Sequence, residues 1–255
     1  MGTLTAILSF TRQNRIADFE WDENTGKLPP QLRIGIPALA IALAALAITP
    51  CWAWPWIGAM ALYALFLSHY QNWRGPLTKP EIDSFLQSMQ HETDLEKFRA
   101  FLEADNGREF FMLNLIRMTD GKSKHPDTGE EIAPHELVES YSRPFLKKLL
   151  LRGGHPTLLM QRRGGDVDSW GPTAEIGASW GLTNVMRYRS RRDLTDLACS
   201  ADFEGIHRFK REAIVETISF PNKMLMTGFA GPRVFVATVL ILAAALTNIA
   251  ILTLS

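Results

Sequence analysis

"FFMLNLIRM" (110–118) is an apolar run broken only by Asn114 and Arg117. Its length and its Phe, Leu and Ile content are those of a buried strand, and it organises everything downstream. The next stretch, "TDGKSKHPDTGEEIAP" (119–134), is dense in turn formers. Residues 135–152 place Leu137, Tyr141, Phe145 and Leu149 at four-residue spacing, which predicts a helix with one apolar side. Gly153-Gly154 ends that helix, and "HPTLLMQRR" (155–163) predicts a second strand. "GGDVDSWGPTAEIG" (164–177) is a turn-rich loop, and "SWGLTNVMRYR" (179–189) a third strand. Helices over 190–198 and 202–212 and a strand over "AIVETISF" (213–220) follow. This order predicts an α+β fold: a ferredoxin-like four-stranded antiparallel sheet with helices on one face.

Upstream, residues 71–108 form a helical connector. Ile82, Phe85, Leu86 and Met89 share one helix face; Thr93 and Glu96 have capping-box spacing before Leu95, Phe98, Phe101 and Leu102. Asn106-Gly107 ends that second helix.

The flanks are of another kind. Between Arg33 and Arg74 there is no Asp, Glu, Lys or Arg, a stretch about twice the ~20 residues that span a bilayer once. Pro50 and Pro55 punctuate it, predicting a transmembrane hairpin over 34–70 with short spans at 34–49 and 56–70. Trp52, Trp54 and Trp56 at the turn suit a membrane interface. Residues 234–255 are also free of charge and follow Gly231, Pro232 and Arg233; they predict a third transmembrane helix within a C-terminal segment 231–255. Arg12, Arg15, Lys27, Arg33, Arg74, Lys79, Lys223 and Arg233 all flank these spans on one side. The excess of cations there predicts that the tail 1–33 and the domain 109–225 face the cytoplasm, with the C-terminus opposite. The protein is thus expected in an inner, cytoplasmic membrane.

Equal numbers of basic and acidic residues, 27 each, argue against a nucleic-acid partner. The two cysteines, Cys51 and Cys199, imply no disulfide framework. The six histidines lack metal-ligand spacing, and no phosphate loop, nucleophile elbow or dinucleotide fingerprint occurs, so no metal or cofactor is implied.

A few residues could carry chemistry. Asn114 interrupts an apolar strand, where an amide must bond either to backbone or to a ligand oxygen. His207 lies beside the apolar Phe203 and Ile206 face and could act as acid or base; Tyr141 is either core or a proton donor. Trp180 and Tyr188 can line an apolar pocket or simply pack. In "RYRSRR" (187–192) the arginines divide: Arg187 shares a strand face with Val185, Ser190 and Asp193 form a helix cap, and Arg191 and Arg192 fall in the first turn, expected to point outward.

"FFMLNLIRM", the helix carrying Glu139 and Tyr141 and ending in Gly153-Gly154, Trp180, "VMRYRS" and "FKREA" occur in an order that resembles DUF1330-type proteins. The resemblance covers residue 109 to about 221 and implies a dimeric α+β barrel, in which two protomers' sheets close on one another around a pocket for a small apolar molecule. The expected function is therefore a membrane-held homodimer that binds a small hydrophobic molecule, polyketide-, quinone- or lipid-like. Asn114 and Arg187 would orient an oxygen, and Tyr141 or His207 would move a proton if it is converted. Two other readings stay open: a non-catalytic subunit or scaffold of a membrane complex, and a sensor of lipid or haem.

Overall fold

The computed structural model describes residues 37, 40–45, 50–88, 94–165, 167–168, 170 and 180–254. The chain divides into two compact units, 1–68 with 236–255, and 69–235.

In the first unit, a 3-10 turn over Cys51–Ala53 leads into helix α1 (Trp54–Tyr70). The sequence places a turn between residues 49 and 56; the turn ends at Ala53, and Pro55 already stands in the first turn of α1, where its missing N–H has no intrahelical acceptor to lose. The apolar helix therefore runs unbroken over Cys51–Tyr70, 20 residues with a mean hydropathy of 1.3. Helix α7 (Pro232–Leu254), the last element of the chain, has a mean hydropathy of 2.5. Among the described residues these two helices are long and apolar enough to cross a membrane, two rather than the three expected. The remaining expected span, 34–49, lies mostly outside the described residues, as does the tail 1–33.

The second unit is α+β. In chain order it contains α2 (Lys79–Ser88), α3 (Leu95–Glu103), β1 (Phe110–Met118), β2 (Ser123–Lys124), β3 (Glu131–Ile132), α4 (Pro134–Leu151), β4 (His155–Gln161), β5 (Leu182–Tyr188), α5 (Arg191–Ala198), α6 (Ala201–Ala213) and β6 (Ile214–Asn222). The main sheet has the order β4-β5-β1-β6, and every neighbouring pair is antiparallel. The apolar run at 110–118 is thus a central strand, paired on both sides. The small β2–β3 hairpin falls in the stretch read from sequence as loop. The cap of α3 is Asp94 rather than Thr93: its carboxylate accepts from the Lys97 amide at 3.1 Å. Leu95, expected in the core, is half exposed.

Helices α4 and α6 pack together over one face of the sheet. Phe110 and Tyr188, opposite each other in the β1–β5 register, join Phe145, Leu149, Leu197 and Phe203 in the core there. Leu149 and Leu197 are each about 1% exposed, so truncating either to Ala should cost about 2–5 kcal/mol. Alternation puts Met112, Asn114 and Ile116 on this same face, while Phe111, Leu113 and Leu115 point away from the helices.

The turn from α4 into β4 is tight. Gly153 adopts φ +72°, and its amide bonds the Leu150 carbonyl while that of Gly154 bonds Leu149. A Cβ on Gly154 would lie 2.8 Å from the Arg187 carbonyl oxygen. That closeness lets β4 enter the sheet directly beside β5.

Candidate functional site

Three polar side chains cross the helix-facing side of the sheet in a row. Register sets Asn114 opposite Asn184 on one side and opposite Ser219 on the other. The Ser219 hydroxyl donates to the Asn114 carbonyl oxygen at 2.6 Å, and the Asn114 amide donates to the Asn184 carbonyl oxygen at 2.6 Å. Asn114 is thereby satisfied within the sheet. The unmatched group is one strand further: among the described residues the Asn184 amide nitrogen makes no hydrogen bond, although Asn184 is half buried.

The helices facing this row bring their own polar groups. On α4, the Tyr141 ring stacks on Phe145 at 5.4 Å and meets His207 of α6 edge-on at 6.3 Å. His207 stacks in turn on Phe203 at 5.1 Å. Lys210, one turn beyond His207, holds its ammonium 5.8 Å from the centre of the Tyr141 ring. It has no carboxylate partner among the described residues, and burial draws its pKa down. Burial pushes the Tyr141 and Tyr188 hydroxyls the other way, far above the usual tyrosine range, with Tyr141 adding to the effect on Tyr188. Both phenols are neutral donors at any ordinary pH, and neither hydroxyl has a hydrogen-bond partner among the described residues. Tyr188 is otherwise committed to packing, its ring stacked on Phe110 at 5.2 Å.

Phe203, Ile206, His207 and Lys210 follow the spacing of a single helix face, which is the signal by which Lys210 could have been found. Reading that stripe as ending at His207 passes over it. Chemically, an amide N–H, a phenol and an ammonium are each able to donate to a carbonyl, enolate or hydroxyl oxygen.

Arg187 is not part of this group. It pairs in register with Phe111 and so lies on the opposite sheet face from Asn114. Its side chain is 1% exposed and its donors are engaged: Nε to Glu109 at 2.7 Å, and the two terminal nitrogens to the Gly153 carbonyl at 2.5 Å and the Tyr70 carbonyl at 3.0 Å. The guanidinium also stacks on the Tyr70 ring, 3.7 Å from its centre. Glu109 receives Arg233 as well, at 3.0 and 2.8 Å. Burial alone would raise the Glu109 pKa, but hydrogen bonds and charge from the two arginines hold it below the usual range.

The other arginines of "RYRSRR" act similarly. Arg189 forks onto Asp193 and donates to the His69 carbonyl at 2.9 Å. Arg191 donates to the Phe101 carbonyl and lies over that ring. Arg192 binds both Glu81 oxygens at 3.0 and 3.1 Å and the Gly75 and Pro76 carbonyls at 3.1 Å. The expectation that Arg191 and Arg192 point outward is therefore corrected, since Arg192 is 4% exposed. The Ser190 cap is present, its hydroxyl accepting from the Asp193 amide at 3.1 Å. Far from forming a free basic surface, the run ties the sheet and α5 to residues 69–105. Trp180 is buried beside the start of β5, where the Gly181 amide bonds the Ile116 carbonyl at 3.0 Å.

No known protein-family description matches the chain, and no curated protein matches it. Two crystal structures are similar in part. One is of the methylated RPA0582 protein, at 21% identity and a TM-score of 0.43, over 55% of this chain and 99% of that one. The other is of the RPA0582 protein of unknown function from Rhodopseudomonas palustris, at 21% identity and a TM-score of 0.42, over 54% of this chain and 97% of that one.

Proposed function

We propose that the chain is a membrane-anchored, ferredoxin-like protein of the DUF1330-like, dimeric α+β barrel type. It binds a small hydrophobic molecule bearing a carbonyl or hydroxyl oxygen between the sheet and helices α4 and α6. One observation carries this reading: three donors without an acceptor among the described residues, on Asn184, Tyr141 and Lys210, belong to a layer otherwise made of apolar side chains such as Met112, Met186 and Ile206. All three residues are half-buried, so their donors are open to a ligand or to water and gain most from an acceptor set among those apolar side chains. A polyketide-, quinone- or lipid-like molecule has the required chemistry and reaches the protein through the bilayer. In this reading Asn114 sets the orientation of Asn184, and Tyr141 or His207 handles a proton if the molecule is converted. The strand order, a split βαβ arrangement, supports the ferredoxin-like assignment.

The second sheet face supports the homodimer. Leu113, Leu115, Val185, Ile218 and Phe220 lie on it away from α4 and α6, and Ile218 and Phe220 are 42% and 41% exposed. A second copy of this face is the partner the barrel reading requires. Flanking cations favour a cytoplasmic orientation for the domain in an inner membrane.

The test is purification in mild detergent, followed by absorption spectroscopy and native mass spectrometry. A retained small molecule, lost on Lys210→Met or Asn184→Leu in a folded protein, is expected. Equal retention by both variants would remove the site. The alternative, a non-catalytic subunit, draws support from the internal engagement of Asn114 and Arg187. An empty protein that co-purifies tightly with other membrane proteins would favour it.

A further inference from the structure

A second site lies at the far end of the sheet from Lys210. Where β1 begins and β6 ends, an open cavity of about 380 Å³ is lined by residues that include Arg108, Glu109, Arg191, Lys223 and Met224. Its charges fall into two groups. Glu109 and Arg191 form its inner wall and are engaged, Glu109 with Arg187 and Arg233, Arg191 with the Phe101 carbonyl. Arg108 and Lys223 are exposed, and neither has an ion-pair partner among the described residues. The cavity therefore presents two available cations at its mouth.

The surroundings indicate what such a mouth meets. Lys223 opens the segment "KMLMTGFAG" (223–231), which has no regular structure and ends directly at the first residue of α7. Within it Leu225 and Met226 are each 88% exposed and Phe229 is 78% exposed. Three fully presented apolar side chains on one short loop are unfavourable in water and ordinary at a bilayer surface. Arg233, in the first turn of α7, is bonded to Glu109 in the cavity wall at 2.8 Å. The cavity is thus tied directly to the start of an apolar helix. Two exposed cations, with apolar side chains of the adjoining loop ready to insert next to them, match one occupant: a phospholipid whose phosphate would sit between Arg108 and Lys223 while its chains lie beside the loop.

We infer that this cavity is a binding site for the phosphate headgroup of an anionic membrane lipid, and that the loop 224–229 inserts at the bilayer interface beside it. The inference rests on the membrane-anchored reading of α7 but not on the ligand proposed for the sheet–helix layer. A soluble phosphate could satisfy the same cations, so the experiment separates the two sources.

The full-length protein is reconstituted in nanodiscs of phosphatidylcholine with or without phosphatidylglycerol, and the lipids retained after gentle release are counted by native mass spectrometry. Selective retention of phosphatidylglycerol is expected. Arg108→Gln or Lys223→Gln should each weaken that preference about fivefold, and the pair about thirtyfold, at about one surface cation's worth per substitution. Excess inorganic phosphate should not displace the lipid. In parallel, an environment-sensitive probe on Leu225→Cys should report an apolar setting in nanodiscs. Three results would overturn the inference: no lipid preference, a preference unchanged in the double variant, or displacement by inorganic phosphate, which would assign the site to a soluble anion. A probe on Leu225→Cys that stays in water would sink the loop insertion. Resistance of the wild-type protein to carbonate extraction reports separately on membrane anchoring, so failure of that reading is distinguishable from failure of the headgroup site.

Discussion

Glu109 and Arg187 meet at 2.7 Å, carboxylate Oε2 to guanidinium Nε, with the arginine side chain 1% exposed. Glu109 also holds Arg233, and Arg187 also holds the Tyr70 carbonyl, so one pair of a buried arginine and a half-buried carboxylate binds both Tyr70 and the first turn of α7. This geometry gives the arginine that drew attention in the sequence a structural task.

Removing the carboxylate should expose how much depends on it. Glu109→Gln leaves Arg187 charged and buried without its counter-ion, a change expected to cost about 3–5 kcal/mol. Arg233→Gln removes a partner that is 39% exposed, and about 1 kcal/mol or less is expected. Denaturant unfolding of the detergent-solubilised protein, followed by near-UV circular dichroism, measures both. Similar losses in the two variants would refute the asymmetry.

The α4–β4 turn makes a sharper steric claim. Gly154→Ala adds a methyl 2.8 Å from the Arg187 carbonyl oxygen, and Gly153→Ala must hold φ near +72° with a Cβ 2.9 Å from the His69 carbonyl. Each should destabilise the protein by about 1–3 kcal/mol. Gly164→Ala, with φ +89° but open space around it, should lose only the conformational part of that cost. Thermal melting of the three variants side by side orders them.

The elements were largely legible because their signals are local. The run 110–118, the four-residue spacing of Leu137 to Leu149, the Gly-Gly stop and the Ser190 cap each act within one or two turns of chain. What decides the site is not local. Asn114 and Asn184 stand out separately, yet their pairing depends on the β1–β5 register across 70 residues of sequence separation. Arg187 falls on β5 and Arg191 and Arg192 in the first turn of α5, as the sequence predicts, whereas Arg189 lies just past the strand; the partners Glu81, Asp105, Glu109 and Tyr70 lie roughly 80–120 residues away. Periodicity shows which face a side chain takes; it carries no information about which distant carboxylate waits there. The start of α1, expected at residue 56, falls at Trp54 for the converse reason, since a proline just before a helix and one in its first turn look alike without the helix boundary.

Two carboxylates should make stability respond to pH in opposite directions. Burial, reinforced by the charge of Asp193, raises the Asp196 pKa to about 6, with Arg74, Arg152 and Arg192 pulling the other way. The folded state then holds this proton at a pH where the unfolded chain releases it. The resulting stability is full below about pH 4 and lost as pH rises through 6. For Glu81, burial alone would raise the pKa, but hydrogen bonds from Arg192 and Thr78 outweigh it and bring it down to about 2. Its contribution is present above pH 4.5 and disappears as pH falls toward 2. Asp196→Asn should therefore remove the decline between about pH 4 and 6 and stabilise the protein at pH 7 by on the order of 1–2 kcal/mol. Glu81→Gln should instead flatten the acid limb. Melting temperatures across the pH range distinguish the two, and an unchanged profile in Asp196→Asn would exclude a buried proton there.

The sheet face turned away from α4 and α6 gives the test of assembly. Leu113 and Phe220 are paired in the β1–β6 register, flanked by Leu115 and Ile218, and the two β6 side chains are more than 40% exposed. A single charge placed there leaves the helix-side core untouched but must be desolvated if a second copy covers it. Leu113→Glu and Phe220→Glu are each expected to turn a dimer into a monomer with little change in the unfolding midpoint of the separated protomer. Light scattering of the protein–detergent complex, corrected for bound detergent, reads the mass directly. A wild-type monomer would reject the closed-barrel assembly. A dimer that survives both substitutions would move the interface to another surface, because no sheet-to-sheet packing of this face can bury two glutamates without losing most of its affinity.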